Sequence, residues 1–524
     1  MRPKTDIETG HRIVVARSLG VHLQGALEPH ADPGDTRTLA DGVDGRMGRP
    51  MPVPTVDFDE FLVEIAEFVL RWLKKSGLVP LSAFTDVSVE EWLEKTMYTL
   101  ARKQELLKVV EENPNLFERD SKGRLKNFKV KLFMKDEHYL DFKHARGIYA
   151  REDNAKVVFG PWFKLIEEQV YSLPEFIKHV PVRDRPNFIM EKLYIPGGKY
   201  VATDYTAFEN HFTARLMQAV EFVLYTYMLQ HVIGGEHILG IMKEVLCGKN
   251  IVQNRYLDCI IEARRMSGEM NTSLGNGFSN LMFMAFVCEK LGLNCNGVVE
   301  GDDGLFAFNG NTPSASDFTK YGFNIKLDVH SEISTASFCG NVFDPEDRQI
   351  MTCPYDVLST FGWTTNKYAK SSDKTLKALL RSKSLSLAYQ YPGCPILGSL
   401  AQYGLRVTKG YNVEKVVYSR NTSLWDRAQQ LEALEYFKNT KYQNLYEEPK
   451  IGTRLLFEQL YGIPVSTQVM IERELDSLNK IQPLNFPLIS DFCPKSWSLY
   501  YELYTMEVEP AFAVEFGMQY KVQV

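Results

Sequence analysis

The stretch Val298-Val299-Glu300-Gly301-Asp302-Asp303-Gly304 constrains this chain more than any other. An apolar run meets two adjacent carboxylates bracketed by glycines, and Leu305-Phe306-Ala307-Phe308 resumes the apolar run. That is the pattern of a β-hairpin with both aspartates at its turn. Two Asp side chains at one turn repel each other unless cations lie between them. The stretch therefore reads in two ways, as a divalent metal site or as a fully solvated turn. A Gly-Asp-Asp tripeptide does not choose between them by itself, so the choice falls to the rest of the chain.

With 524 residues the chain is too long for one ordinary core. About two to four domains, or one large multi-lobed catalytic unit, are expected. The net charge of −6 excludes a globally basic nucleic-acid protein. Any nucleic-acid role then needs positive charge gathered in a channel or patch. The eight cysteines form no C-x-x-C pair and have no His cluster at zinc spacing, so they read as buried free thiols. No run of eighteen apolar residues occurs, so no transmembrane segment is expected. Arg2, Lys4, Asp6 and Glu8 are unlike a signal peptide.

Residues 1–56, rich in Gly, Pro, Asp and Arg, read as an extended or disordered N-terminal arm. Helical spacing begins at Phe58, Phe61, Leu62, Ile65, Phe68, Val69 and Leu73. Residues 121–151 alternate cations (Lys122, Arg124, Lys126, Lys129, Lys131, Lys135, Lys143, Arg146, Arg151) with apolar residues, the pattern of strands with a basic side. Such a stretch is either a solvated edge or an anion-binding surface. Lys199–Asp204 reads as a strand ending on a carboxylate, and residues 208–230 as one long helix. A further helix starts at Thr272, after the loop Arg264-Arg265-Met266-Ser267-Gly268. Beyond residue 356 the pattern is mostly helical with short loops.

Residues 199–345 thus read as a βαββαβ-like unit with a helical insertion. In such a unit the first strand neighbours the central hairpin, which brings Asp204 beside Asp302 and Asp303. Three carboxylates at one sheet edge are costly unless divalent metal binds them. Magnesium suits hard oxygen ligands that leave room for substrate phosphates. Two such ions, roughly 3.5–4 Å apart, support phosphoryl transfer. Five residues after Asp204 stands Glu209, and Ser267-Gly268, Thr272 and Asn276 fit S-G-x-x-x-T-x-x-x-N. Thr272 and Asn276 share one helix face.

Here a resemblance becomes specific. Thr203-Asp204-Tyr205-Thr206-Ala207-Phe208-Glu209-Asn210 resembles motif A of viral RNA-dependent RNA polymerases. Ser267 to Asn276 resembles motif B, and Glu300-Gly301-Asp302-Asp303 resembles motif C, in the same order and at matching separations. The wording of motif B is closest to positive-strand RNA viruses of the tombusvirus-like and nodavirus-like groups. Lys135-Asp136-Glu137 and Arg146-Gly147-Ile148-Tyr149-Ala150-Arg151 resemble the basic motif F, Lys326 resembles the motif D lysine, and Phe338-Cys339-Gly340 sits where motif E is expected.

The resemblance implies an α+β, right-hand polymerase with fingers, a ferredoxin-like palm and a helical thumb. Residues 57–196 with 232–262 would be the fingers, the rest of 197–355 the palm, and 356–524 the thumb, with the arm bridging fingers and thumb. It implies two Mg²⁺ ions, replaceable by Mn²⁺, held by Asp204 and Asp302 with Asp303 supporting. Lys135, Lys143, Arg146 and Arg151 would take the triphosphate of an NTP. Glu209, Ser267, Thr272 and Asn276 would read the ribose 2′-OH, and Lys326 would protonate the pyrophosphate. Glu209 departs from the family, which carries Asp there. Implied partners are an RNA template and product strand and other viral replication proteins, in membrane-associated complexes of the host cytoplasm. A reverse transcriptase and a non-catalytic replication scaffold are the alternatives. The first is expected to carry a bulky aromatic where Glu209 stands, and the second to have lost its aspartates.

Overall fold

A computed structural model describes residues 1–7, 16–138, 145–365, 368–419, 424–440 and 446–504. Its strands in chain order are β1 (Arg2–Pro3), β2 (Arg17–Ser18), β3 (Val130–Met134), β4 (Gly147–Arg151), β5 (Lys199–Tyr205), β6 (Lys249–Gln253) and β7 (Leu257–Glu262). There follow β8 (Asn296–Glu300), β9 (Asp303–Phe308), β10 (Ile325–His330) and the short β11 (Val342–Phe343), β12 (Ile350–Met351) and β13 (Trp363–Thr364).

β5, β8, β9 and β10 form an antiparallel sheet in the order β10-β5-β9-β8. This is the strand order of a βαββαβ unit closed on its first strand. Its members read as continuous apolar runs because both faces are covered. Val201, Val299, Phe306 and Phe308 enter one core with the helices Phe58–Lys75 and Thr272–Leu291. Their alternates Tyr200, Val298, Leu305 and Ala307 enter a second core with the C-terminal helices. The free edge of β8 is capped by residue 175, whose carbonyl accepts from Val299 N–H at 2.8 Å.

Thr272–Leu291 is apolar nearly all round, the mark of a helix enclosed on every side. Phe58–Lys75 is amphipathic, and the Asp57 carboxylate accepts from its first-turn N–H groups. The single helix expected over 208–230 is instead a 3₁₀ turn, Phe208–His211, and two helices, Ala214–Ala219 and Glu221–Leu229. Ala207 (φ +49°) and Val220 (φ −118°, ψ −71°) leave helical geometry, and Glu221, just after the second break, turns its side chain into the core. The insertion also holds more than helix. β6 and β7 leave the central unit and join β3, β4 and β1 in a second sheet, β1-β7-β6-β3-β4.

The extended or disordered arm is corrected by its packing. Ala16, Leu19, Val21, Leu23, Ala26, Leu27 and Leu39 are all buried. β1 pairs with β7, β2 pairs with β13, and Gln24 N–H donates to the Leu484 carbonyl at 2.9 Å. Residues 36–47 add a helix, Thr36–Gly42, and a π-helical turn, Val43–Met47. The segment lacks periodicity because its residues meet different neighbours in turn, which a repeating pattern cannot encode. Among the described residues after 372, helices Asp373–Gln390, Leu397–Val407, Leu424–Asn439, Ile451–Tyr461, Val465–Ser477 and Lys495–Tyr504 account for most of the chain.

Candidate active site

Glu300 pairs with Asp303 across the β8–β9 hairpin, which leaves Gly301-Asp302 as a two-residue turn. Gly301 takes φ +63°, a conformation glycine adopts without strain. Asn280, fully buried on Thr272–Leu291, donates from Nδ2 to the Asp302 carbonyl at 3.0 Å and the Gly301 carbonyl at 3.4 Å. The turn's backbone is thus tied to the helix beneath it, and its side chains are left to face outward. Arg185 neutralises Glu300 at 2.9 Å.

β5 lies between β9 and β10. Thr203 faces Gly304 on one side, and Asp204 faces Lys326 on the other. Asp204 therefore follows directly in register toward Asp303. All three aspartates reach solvent. Surrounding protein nevertheless pushes the Asp302 carboxyl up, and so do the charges of Glu209 and Asp204, against the pull of Arg146. Burial, then Asp302, Glu300 and Asp204, push Asp303 up to about 6. Solvent contact and desolvation by the surrounding protein thus coincide at this sheet edge. The negative charge there is only partly compensated, and hard oxygen donors short of positive charge fit a divalent cation. Among the described residues no three His, Cys, Asp or Glu side chains are arranged to enclose an ion.

The expected phosphate-binding cations separate into groups. Lys135 and Arg146 are exposed, and both hold Glu137, at 2.9 Å and 2.5 Å. Burial works against it, yet Arg146 and Lys135 keep the Glu137 carboxyl below its usual range. Lys143 lies outside the described residues. Arg151 is a correction. It sits in the core with Nε on Glu269 at 2.6 Å, Nη1 on the Phe128 carbonyl at 3.1 Å, and Nη2 on the Val245 carbonyl and Asn250. It shares the inward face of β4 with Tyr149 and braces the strand, so it is not presented to a triphosphate.

The motif B residues are brought together but are unequally available. Ser267 Oγ donates to the Gly147 carbonyl at 2.8 Å and accepts from Tyr149 N–H at 3.3 Å. Thr272 Oγ1 donates to the Met266 carbonyl at 3.1 Å. Both hydroxyl hydrogens are committed to the backbone, and what remains to a ligand is a lone pair. Asn276 Oδ1 accepts from Arg265 Nε at 3.0 Å, which fixes its amide with Nδ2 as the group on offer. Arg265 is itself buried against Glu221, which also accepts from Tyr225 OH at 2.8 Å. Glu209 meets Arg46 of the arm, with Nε–Oε1 at 2.8 Å and Nη2–Oε2 at 3.3 Å. Lys326 is exposed and paired with Asp328 at 2.9 Å, on the strand beside Asp204.

Sequence reasoning missed Arg46, Glu137, Glu221, Arg265 and Asn280 as parts of this site. Only Glu137 carried a signal, an acid set between motif F cations. The others act on partners that are distant in sequence or, for Arg265, that no local spacing rule links.

A family model described as "Viral RNA dependent RNA polymerase" matches residues 201–482, more than half of the chain. The chain belongs to that family. Membership implies the right-hand polymerase fold, and the mixed helix-and-sheet architecture is consistent with it. Family members generally use divalent metal ions. A relative from barley yellow dwarf virus (isolate MAV), named "Putative RNA-directed RNA polymerase", is 23% identical over 237 residues. The matched region is 44% of this chain and 26% of the relative, so the chain spans about a quarter of that relative's length.

Proposed function

We propose that this chain is an RNA-dependent RNA polymerase that copies a viral RNA genome. The 3′-OH of the growing RNA attacks the α-phosphate of an NTP, a new phosphodiester forms, and pyrophosphate leaves. The observation that carries the reading is the register that sets Asp204 beside the Asp302-Asp303 turn. Asp204 and Asp302 would hold two Mg²⁺ ions, or Mn²⁺, with Asp303 supporting. When bound, such ions activate the attacking oxygen and stabilise the charge on the leaving one.

The chain's own groups do the rest. Lys135 and Arg146, joined by Lys143, receive the triphosphate by exchanging Glu137 for phosphate oxygens. The ribose 2′-OH donates to Glu209 and accepts from Asn276 Nδ2, and the lone pairs of Ser267 and Thr272 complete the polar wall. A site built to bond a hydroxyl rejects substrates without it. Lys326 serves as proton donor to the pyrophosphate after release from Asp328. Residues 57–196 with 232–262 act as fingers, the rest of 197–355 as a ferredoxin-like palm, and 356–524 as thumb.

RNA template and product, NTPs and other viral replication proteins are the partners. We place the enzyme in membrane-associated replication complexes of the host cytoplasm. Among the described residues no helix is long and apolar enough to cross a membrane, so attachment there would run through a partner or a surface. Primer extension with NTPs and with dNTPs tests the reading. NTP incorporation on an RNA template is expected, whereas a preference for dNTPs would favour a reverse transcriptase.

A further inference from the structure

Arg46 lies in the turn Val43–Met47, just after the helix Thr36–Gly42. Leu39, Val43 and Met47 are buried against Leu132, Met134, Tyr149 and Met266. Gly42 packs so close that a Cβ there would stand 2.5 Å from the Ala145 carbonyl oxygen. Three residues beyond Arg46, the Arg49 carbonyl accepts from Asn210 Nδ2 at 2.5 Å. The arm is therefore fixed on both sides of Arg46, one contact being to the residue next to Glu209. From that position the guanidinium meets both oxygens of the Glu209 carboxylate, at 2.8 and 3.3 Å. The pair is largely enclosed, with 26% of Arg46 and 16% of Glu209 exposed.

A glutamate has three side-chain torsions, and this one carries its charge close enough to bear on Asp302. Unrestrained, its carboxylate would sample several rotamers and orientations. A planar two-point contact from arginine fixes the plane of the carboxylate and compensates its charge, while each oxygen keeps a lone pair for a substrate hydroxyl. An aspartate at 209 would fall short of Arg46 by one C–C bond, about 1.5 Å.

We propose that Arg46 is a positioning residue for ribose selection: the N-terminal arm completes the nucleotide site by fixing the Glu209 carboxylate where a 2′-OH can meet it. This rests on the polymerase reading above. The test uses the full chain, an RNA primer–template, and kcat/KM for a single NTP and its matching dNTP. Arg46→Ala is expected to lower the NTP/dNTP ratio about tenfold or more, mainly through the NTP, the loss of a charge-assisted bond. Glu209→Ala should lower it similarly, and the double variant should lose little beyond either single one. Arg46→Lys keeps the charge and stem and should fall between wild type and Arg46→Ala, which supplies a folded comparison should Arg46→Ala fold poorly. An unchanged ratio in both Arg46 variants, equal losses for NTP and dNTP, or additive effects would overturn the role of Arg46 alone. A wild type that incorporates neither nucleotide would overturn the polymerase reading and this role with it.

Discussion

Nε of Arg265 donates to Oδ1 of Asn276 at 3.0 Å, and the same guanidinium ion-pairs with Glu221 where neither residue is more than 1% exposed. A buried ion pair thus sets which end of the Asn276 amide faces outward. Such a pair resists loss of one partner far more than loss of both, because a lone buried charge has nothing to offset its desolvation.

Glu221→Leu is therefore expected to destabilise the chain by about 3–5 kcal/mol, read as a lower denaturation midpoint. Combining it with Arg265→Met should restore much of that loss. The restored double variant should still discriminate NTP from dNTP poorly, because Asn276 has lost the donor that orients it. Full discrimination in the double variant would contradict the orienting role.

Arg151 and Arg146 should separate cleanly. Arg151→Met removes four hydrogen bonds inside the protein, so its thermal midpoint should fall while KM for NTP in the folded fraction stays within about twofold of wild type. Arg146→Ala removes an exposed cation that holds Glu137, so KM should rise with little change in midpoint. The reverse pattern would return Arg151 to the phosphate site.

Asn280→Ala takes from the Gly301-Asp302 turn the side-chain donors that reach the carbonyls of both residues. Single-turnover rate should fall at saturating NTP while KM changes less, because the loss bears on where Asp302 sits and not on triphosphate contacts. A raised KM with an unchanged rate would point to a substrate contact instead.

Glu28 on the arm provides a pH test. Burial, then Asp356, raise its carboxyl to about 7 from an ordinary value of 4.5. The folded state holds this proton more tightly than the unfolded chain, so the stabilising contribution is complete below pH 4.5 and is lost as pH rises through 7. Glu28→Gln keeps a neutral side chain at every pH. It should match wild type near pH 4.5 and have the higher thermal midpoint at pH 8.

The sequence was most legible where pattern and local chemistry agree. The hairpin 296–308 could be read from its apolar runs and its Gly301-Asp302 turn, and the helix from Thr272 from the face shared by Leu274, Phe278, Leu281 and Met282. The strand order followed from the succession of elements around Asp204. Arg151 misled because alternation on a strand gives the face a residue occupies, not whether that face is open. Its partner Glu269 lies 118 residues away, and nothing near Arg151 announces it. The arm was illegible for a related reason. Leu23 binds beside Leu484, Arg17 is registered with Thr364, and Arg46 meets Glu209, three contacts with no shared period.

The most direct test of the central claim is nucleotide incorporation by the purified chain and its Asp302→Ala variant, on an RNA primer–template with Mg²⁺ and NTPs. The variant should fold as wild type does, because the side chain it removes faces solvent at the turn, and it should lose at least about a thousandfold in rate. Incorporation by the variant at the wild-type rate would contradict the assignment of Asp302, and with it the reading of this sheet edge as a polymerase active site.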